Sequence, residues 1–248
     1  MKRDISIAAI AKRLVERRGD RANPSNFRRA NIRRRQRIDP NSFERGYLPF
    51  IGGVVAESNR GDNLMTGWTG ADTIAGNAGN DSIEGRGGDD ILLGGRDNDV
   101  LRGEAGNDAI GGNFGNDIVE GNDGDDILFG GQGDDALSGN AGNDVLVGDF
   151  GRDVMTGGDG SDTFTLRRGA AATEAIQADI VTDFVAGVDR IALTQGLTEA
   201  NLTLELVDLD GSGVLVRVAG TSEFLGFVRN VTVESLQGSF VADSLGLS

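Results

Sequence analysis

The chain has 248 residues, with 40 glycines, 3 prolines, no cysteine and no histidine. Without cysteine or histidine, disulfides, thiol nucleophiles, the usual zinc sites and a Ser-His-Asp triad are excluded, and a bound metal must be a hard cation held by oxygen. Residues 1–50 carry 14 basic against 5 acidic side chains, and residues 51–248 carry 10 against 34. This acidic body repels nucleic acid and anionic membranes and attracts cations.

Residues 1–57 are predicted to form a basic N-terminal arm. A short amphipathic helix is expected over 5–17, followed by an arginine-rich stretch without fixed structure. The positive charge favours contact with an anionic surface such as the cell envelope, or with the acidic body itself. No nucleic acid is expected as a partner, because the arm lacks a recognition fold and interleaved aromatic residues. No run of 18 apolar residues occurs, so no membrane span is predicted.

Eleven consecutive nine-residue frames run from Gly67 to Thr165 without insertion or deletion, after a degenerate frame at 58–66. Position one is glycine and position six is aspartate in every frame, and position eight is always apolar. Position four is glycine in ten frames, and Asp97 is the exception. Constraints that repeat with a fixed period predict a stacked repeat architecture.

Each frame is predicted to be a six-residue turn followed by a three-residue strand whose position-eight side chain points inward. Glycine, and the Asn, Asp or Gly common at position two, tolerate left-handed backbone. With two frames per coil, coils would stack about 4.8 Å apart and create two inner columns. These columns are Ile74, Leu92, Ile110, Leu128, Leu146 and Phe164, and Ile83, Leu101, Val119, Leu137 and Met155. Such a thin core needs a further source of stability.

The position-six aspartates suggest that source. Residues 67–165 contain 21 acidic side chains and 4 arginines, so the metal-free array should repel itself. A divalent cation between coils would bind carboxylates and turn carbonyls together, and calcium accepts six to eight oxygens where magnesium needs a tighter octahedron. Alternatively, the aspartates only form turns by bonding their own backbone. The position-five carboxylates Asp89, Asp125 and Asp134 are either solvated outward groups or additional ligands.

Residues 166–248 are poor in glycine and are predicted to cap the open end of the coil with β structure. Strands are expected at 180–184 and 190–193, joined by a turn. Alternating apolar residues on both sides of 210–213 predict a β-hairpin.

The frame G-G-x-G-x-D-x-U-x, with U a large apolar residue, resembles the RTX or hemolysin-type calcium-binding repeat. The resemblance implies an all-β, right-handed parallel β-roll (a β-solenoid) over 58–165, with a calcium ion between stacked loops. The ligands that it implies are the eleven position-six aspartates, Asp72, Asp81, Asp90, Asp99, Asp108, Asp117, Asp126, Asp135, Asp144, Asp153 and Asp162. About seven to nine Ca²⁺ ions are expected, and the sites beside Asp97 are the least regular.

Asp179–Leu193 resembles the strand–turn–strand that follows such repeats, including in secreted metalloproteases of the serralysin type. In that family the C-terminus is an uncleaved type I secretion signal. The resemblance therefore implies a secreted protein of a Gram-negative-type bacterium, folded by calcium and acting as an extracellular or cell-surface structural or binding module. The alternatives are a non-catalytic module of an extracellular hydrolase, epimerase or toxin, and an adhesin or surface-layer component.

An enzyme is not expected. About 66 residues precede the roll in this sequence, too few for the protease, lipase or epimerase domain that many relatives carry. Neither HExxH nor G-x-S-x-G occurs. The sequence therefore predicts a module without catalytic residues.

Overall fold

The computed structural model describes residues 55–57, 60–167, 178–208, 212–243 and 245. All of them belong to one compact unit of the chain, 51–248. The helix predicted over 5–17, the arginine-rich stretch and the last three residues lie outside the described residues.

Strands account for most of the described residues, and each strand of the repeat pairs in parallel with the strand two places along the chain. The register is 18 residues, as in Ser82↔Val100 and Ile91↔Ala109. Two frames therefore make one coil, as predicted. The strands of the repeat are β1 Val55–Glu57, β2 Leu64–Thr66, β3 Thr73–Ala75, β4 Ser82–Gly87, β5 Ile91–Arg96, β6 Val100–Ala105, β7 Ala109–Phe114, β8 Ile118–Asp123, β9 Ile127–Gln132, β10 Ala136–Ala141, β11 Val145–Phe150, β12 Val154–Asp159 and β13 Thr163–Leu166.

The strands form two sheets that share one core. All eleven position-eight side chains are buried, with at most 2% of their surface exposed. Both predicted columns are confirmed, and together with the parallel pairing they confirm the all-β parallel solenoid.

The prediction of three-residue strands is wrong for β4 to β12, which have six residues each. Each of these strands covers positions seven to nine of one frame and one to three of the next. The second half also pairs between coils, as in Gly95↔Asn113 and Arg96↔Phe114, because the backbone N–H and C=O groups at these positions need partners. The turn is therefore only three residues long.

Positions two and four have positive φ in every frame from 76–84 onward. Asp97 has φ 74°, so it takes the left-handed backbone that glycine has at position four in the neighbouring frames, such as Gly106 with φ 139°. The prediction of left-handed backbone is therefore confirmed at positions two and four of these frames, but it does not hold for the position-one glycines, which do not have positive φ.

The C-terminal segment continues both sheets. Its strands are β14 Asp179–Val181, β15 Arg190–Leu193, β16 Leu202–Asp208, β17 Ser212–Val218, β18 Phe224–Arg229 and β19 Phe240–Ala242, with short helical turns at Glu199–Asn201 and Val233–Leu236. β14 pairs with β12 and β15 with β13. The predicted hairpin is confirmed as the antiparallel pair β16–β17, whose tip at 209–211 lies outside the described residues.

The strand predicted over 180–184 is shorter in the structure, because β14 ends at Val181. The carboxylate of Asp183 accepts the backbone N–H groups of Gly157 and Gly158 at 2.9 and 2.8 Å. Phe184 turns into the core, where its ring centroid lies 6.2 Å from that of Phe164. The chain therefore leaves the sheet in order to cover the last coil.

Candidate metal centre

The eleven position-six aspartates are all buried, with at most 3% of their surface exposed. Each is the last residue of the three-residue turn and immediately precedes a strand, so the 18-residue register aligns the aspartates in two rows. One row contains Asp72, Asp90, Asp108, Asp126, Asp144 and Asp162, and the other contains Asp81, Asp99, Asp117, Asp135 and Asp153. Buried carboxylates in rows are rare unless they are paired or bind metals.

One oxygen of each carboxylate has a structural role. In the ten frames from Asp81 to Asp162, the Oδ1 atom accepts the backbone N–H of the residue 18 positions earlier, as in Asp90 Oδ1 to Asp72 N at 2.6 Å and Asp162 Oδ1 to Asp144 N at 2.9 Å. We call this series the position-six ladder. Its bonds join successive coils, so they differ from an aspartate bonding within its own turn.

The second oxygen is buried without a partner. In nine frames Oδ2 has no hydrogen-bond partner among the residues that the structure describes, namely in Asp81, Asp90, Asp99, Asp108, Asp117, Asp126, Asp135, Asp144 and Asp153. An unsatisfied buried polar atom costs about 1–3 kcal/mol. A regular row of such atoms indicates that a further group belongs there.

Position-one glycine leaves space beside this oxygen. A methyl group at Gly103 would lie 2.1 Å from Asp108 Oδ2 and 2.9 Å from the carbonyl oxygen of Gly121 in the next coil. Glycine is required here by close approach, since position one does not have positive φ. A carboxylate oxygen and a backbone carbonyl oxygen that approach the same small space are the ligand types of Ca²⁺. The residues present therefore fit a hard cation.

Burial raises the pKa of most of these carboxyl groups. The pKa of Asp126 and of Asp153 rises to about 8, and that of Asp90, Asp99 and Asp135 to about 7. Desolvation is the largest cause, and neighbouring carboxylates add to it, whereas the hydrogen bond from the backbone N–H acts in the opposite direction. Without a cation, these five carboxyl groups are therefore partly protonated near neutral pH, and this weakens the repulsion between their coils.

A second series of bonds was missed by sequence reasoning. The side chain at position five accepts the backbone N–H of position five in the following coil, as in Asn98 N to Asn80 Oδ1 at 2.9 Å. We call this series the position-five ladder, and it runs in the opposite direction to the position-six ladder. The sequence did contain a signal for the position-five ladder, because eight of the eleven frames have Asn or Asp at position five.

The three position-five carboxylates belong to this second ladder. Asp89, Asp125 and Asp134 accept the N–H groups of Asn107, Asn143 and Arg152, each at 2.9 Å. These bonds lie at the exposed edge of the roll, so the three carboxylates have a role in coil stacking at the solvent side.

The frame with Asp97 keeps the pattern of its neighbours. Asp99 Oδ1 accepts the N–H of Asp81 at 2.7 Å, and the Asp97 carboxylate accepts the N–H of Gly79 at 3.1 Å. The substitution of glycine at position four therefore adds a bond between coils and leaves the aspartate row intact.

Two further aspartates extend the rows and were not identified from the sequence. Asp179 Oδ1 accepts the N–H of Asp153 at 3.1 Å, and Asp189 Oδ1 accepts the N–H of Asp162 at 3.0 Å. Both are buried. The signal was Asp-x-apolar in Asp179–Val181 and at 189–191, but the spacing of 26 and 27 residues interrupts the period of 18.

Within the described part of the chain, no three acidic side chains converge on one point. A cation between two coils would therefore need backbone carbonyl oxygens in addition to carboxylates. No helix among the described residues is both long and apolar enough to cross a membrane.

Stacked parallel coils with rows of buried, half-satisfied carboxylates define a cation-binding β-roll. Residues 56–170 match the RTX calcium-binding nonapeptide repeat in six overlapping stretches. Residues 56–170 are therefore RTX calcium-binding nonapeptide repeats, and the β-roll that they form is a calcium-binding repeat module.

The solved structures that are similar to the chain include an epimerase subunit and a lipase. The AlgE6R3 subunit of the Azotobacter vinelandii mannuronan C5-epimerase is 26% identical, covers 50% of this chain and 78% of its own, and gives a TM-score of 0.35. The extracellular lipase LipA of Serratia marcescens is 17% identical, with coverage of 79% of this chain and 41% of the lipase chain, and a TM-score of 0.29. No curated protein matches the chain.

Proposed function

We propose that the chain is a secreted calcium-binding protein in which calcium drives folding of the β-roll. The folded roll would act outside the cell, or on its surface, as a structural or binding module. The observation that carries the proposal is that nine buried Oδ2 atoms, four in one row and five in the other, have no partner among the described residues. Each such atom costs about 1–3 kcal/mol, and a cation bound between coils removes that cost.

The proposed ligands are the position-six aspartates from Asp72 to Asp162, together with carbonyl oxygens of the turns. The ends of the rows should bind less tightly than the middle. Asp72 illustrates this, because its Oδ2 already accepts the N–H of Trp68 at 2.6 Å. About seven to nine ions in the gaps between loops agree with this arrangement.

Linkage between binding and folding supplies the mechanism. An ion that binds the folded roll and not the open chain stabilises the roll by mass action. Extracellular calcium modules have dissociation constants of about 10⁻⁴–10⁻³ M. The chain would therefore stay unfolded in a cytosol with little calcium, leave the cell unfolded by a type I route, and fold outside.

No residue of the chain is assigned a catalytic role, and contact with the cell surface is assigned to the basic arm, 1–57. The arm would contact an anionic cell envelope. If the folded roll also has a surface role, retention of the protein on envelope should depend on calcium and be lost with chelator. Hydrolysis or epimerisation of a protein, lipid or polysaccharide by the purified chain would contradict the non-catalytic assignment.

A calcium titration of the chelated full chain, followed by circular dichroism, tests the proposal. A cooperative gain of β signal is expected with a midpoint of about 10⁻⁴–10⁻³ M. Magnesium at the same concentrations is the control and should not reproduce the gain, because it demands a tighter octahedron. A chelated protein as compact and as heat-resistant as the calcium-loaded one would overturn the coupling.

A further inference from the structure

We propose that β16, Leu202–Asp208, is the edge at which a second copy of this chain binds, so that two rolls join as a two-fold symmetric dimer. The proposal goes beyond calcium binding. It concerns the end of the ten-stranded sheet that is formed by the C-terminal segment.

β16 is the last strand of its sheet. It pairs with β17 on one side, and no described strand pairs with its other side. At seven residues it is among the longest strands of the structure. Such an open edge presents backbone N–H and C=O groups that can pair with a strand of another chain.

The direction of these backbone groups follows from the pairing with β17. The N–H of Ala219 donates to the carbonyl oxygen of Asn201 at 2.8 Å. Because successive residues of a strand direct their backbone groups to opposite sides, the odd-numbered residues of β16 face β17 and the even-numbered ones face outward. The outward groups belong to Leu202, Leu204 and Leu206. The N–H of Leu202 already donates to the carbonyl oxygen of Glu199, so Leu202 offers only its carbonyl oxygen.

The same three leucines form a row on one face of β16. They lie opposite valines of β17 that belong to the core. Leu202 and Leu204 pack against that core, whereas Leu206 is 64% exposed. The sheet stops at β16, so a large apolar side chain on its core-facing side is left in water.

An antiparallel copy of β16 fits this edge when the two-fold axis passes through Leu204. Leu204 and the partner's Leu204 then exchange two hydrogen bonds, and the N–H of each Leu206 donates to the carbonyl oxygen of Leu202 in the other chain. The side chain of Leu206 lies beside the partner's Leu202 and is covered by it. The edge is therefore complementary to itself in both its backbone groups and its leucine row.

Charge favours this register over the neighbouring one. Glu205 forms an ion pair with Arg217 of its own chain, and in the proposed register it lies opposite the partner's Thr203. An axis through Glu205 would instead place two glutamates directly opposite each other, which is destabilising. An interface of this isologous kind closes at two chains and does not continue into a fibre.

The association should be weak. A contact through one strand edge is small compared with the about 1,200–2,000 Å² that stable interfaces bury. The chain should therefore be monomeric in dilute solution and form dimers as its concentration rises.

The test measures self-association of the calcium-loaded full chain by analytical ultracentrifugation over a range of protein concentrations. Salt of about 0.15 M, with a Debye length of about 8 Å, screens the net negative charge of the two chains. Thr203→Glu should weaken the dimer roughly threefold or more, because two carboxylates then lie opposite each other in each of two symmetric pairs. Thr203→Lys should strengthen the dimer by a similar factor.

Gln132→Glu and Gln132→Lys are the matched controls, since they make the same charge changes at an exposed residue of the repeat. They should leave the dimer constant nearly unchanged. Amide hydrogen exchange gives a second measurement. The N–H groups of Leu204 and Leu206 should exchange more slowly as the dimer forms, whereas those of Thr203 and Glu205, which face β17, should not change.

A calcium-loaded chain that stays monomeric at every concentration would overturn the proposal, also if the edge takes an extended peptide of another protein. Equal effects of the Thr203 and Gln132 variants would overturn it as well, because the response would then follow net charge alone. So would shifts of Thr203→Glu and Thr203→Lys in the same direction, because Thr203 would then not lie opposite the partner's Glu205.

Discussion

Asp99 accepts the backbone N–H of Asp81 through Oδ1 at 2.7 Å, while its Oδ2 is buried without a hydrogen-bond partner among the described residues. The same carboxyl group therefore joins two coils and leaves one oxygen unsatisfied. This geometry is present without a cation, but the stability of the folded roll depends on what binds the second oxygen. A proton or a divalent cation can do so, and the two compete for the same atom.

Charge removal in the middle of a row should reduce calcium binding. In Asp126→Asn the Oδ1 acceptor for Asp108 is kept and the anionic Oδ2 is lost, so at least one ion should be lost. If calcium is present at 100 times its dissociation constant, each lost ion lowers stability by about 2.7 kcal/mol. Thermal unfolding in calcium and counting of bound ions measure both effects. The neighbouring Asp125→Asn, at the exposed edge, is the control, and equal losses in the two variants would contradict the assignment of ligands.

A methyl group at position one should disrupt the space beside the carboxylate. Gly103→Ala places a carbon 2.1 Å from Asp108 Oδ2 and 2.9 Å from the Gly121 carbonyl oxygen. Overpacking of this kind costs about 1–3 kcal/mol or more, and calcium affinity should fall with it. Gly70→Ala is the control, because nothing lies within 4 Å of its added methyl and its φ is not positive. Chemical denaturation of both variants in calcium checks the difference, and an unaffected Gly103→Ala would show that the space is not needed.

The metal-free roll should be more stable in acid than at alkaline pH. Burial raises the pKa of Asp126 and Asp153 to about 8 from 3.8, so between these values the folded chain binds protons that the unfolded chain has lost. Stability is then present at low pH and is lost as the pH rises through the folded pKa. Thermal unfolding in chelator at pH 5 and pH 8.5 measures the change.

In the presence of calcium the pH dependence has the opposite sign, because Ca²⁺ binds the deprotonated carboxylate. Calcium affinity should fall steadily as the pH decreases from about 8 to about 5, and direct titration at several pH values measures it. An affinity independent of pH in this range would mean that the buried carboxylates are not the ligands.

Core truncation should weaken calcium binding without touching a ligand. Leu128 is 0% exposed in one inner column, and Leu128→Ala should cost about 2–5 kcal/mol. Because binding and folding are coupled, the calcium midpoint of folding should shift to higher concentration. Leu206→Ala, at a side chain that is 64% exposed, should change stability by less than about 0.5 kcal/mol. A calcium midpoint that stays fixed in Leu128→Ala would argue against coupling.

The period of the sequence was sufficient to predict the coil and the residues of its core. Glycine, aspartate and an apolar residue at fixed positions determine which side chains face inward, so Ile110 and Val119 lie in the predicted columns. Strand length was not predictable in the same way. It depends on backbone pairing at positions two and three, which side-chain patterns do not report.

The site was predictable in part. The position-six row followed from the period, but Asp179 and Asp189 were missed because longer connections of 26 and 27 residues hide their register. The position-five ladder was missed for another reason. Asn and Asp are common in any turn, and only the structure shows that Asn80 and Asn98 bond across coils.

The two ladders run in opposite directions, and this has a mechanical consequence. Between neighbouring coils, position-six side chains reach back while position-five side chains reach forward, as in Asp117 Oδ1 to Asp99 N and Asn98 Oδ1 to Asn116 N. Every junction whose earlier coil has Asn or Asp at position five is held by bonds in both directions, so none of these inner junctions is a weak point, whereas Ala71 supplies no such bond at the N-terminal end. Under a pulling force the roll should peel from its two ends, one turn after another, and not snap in the middle.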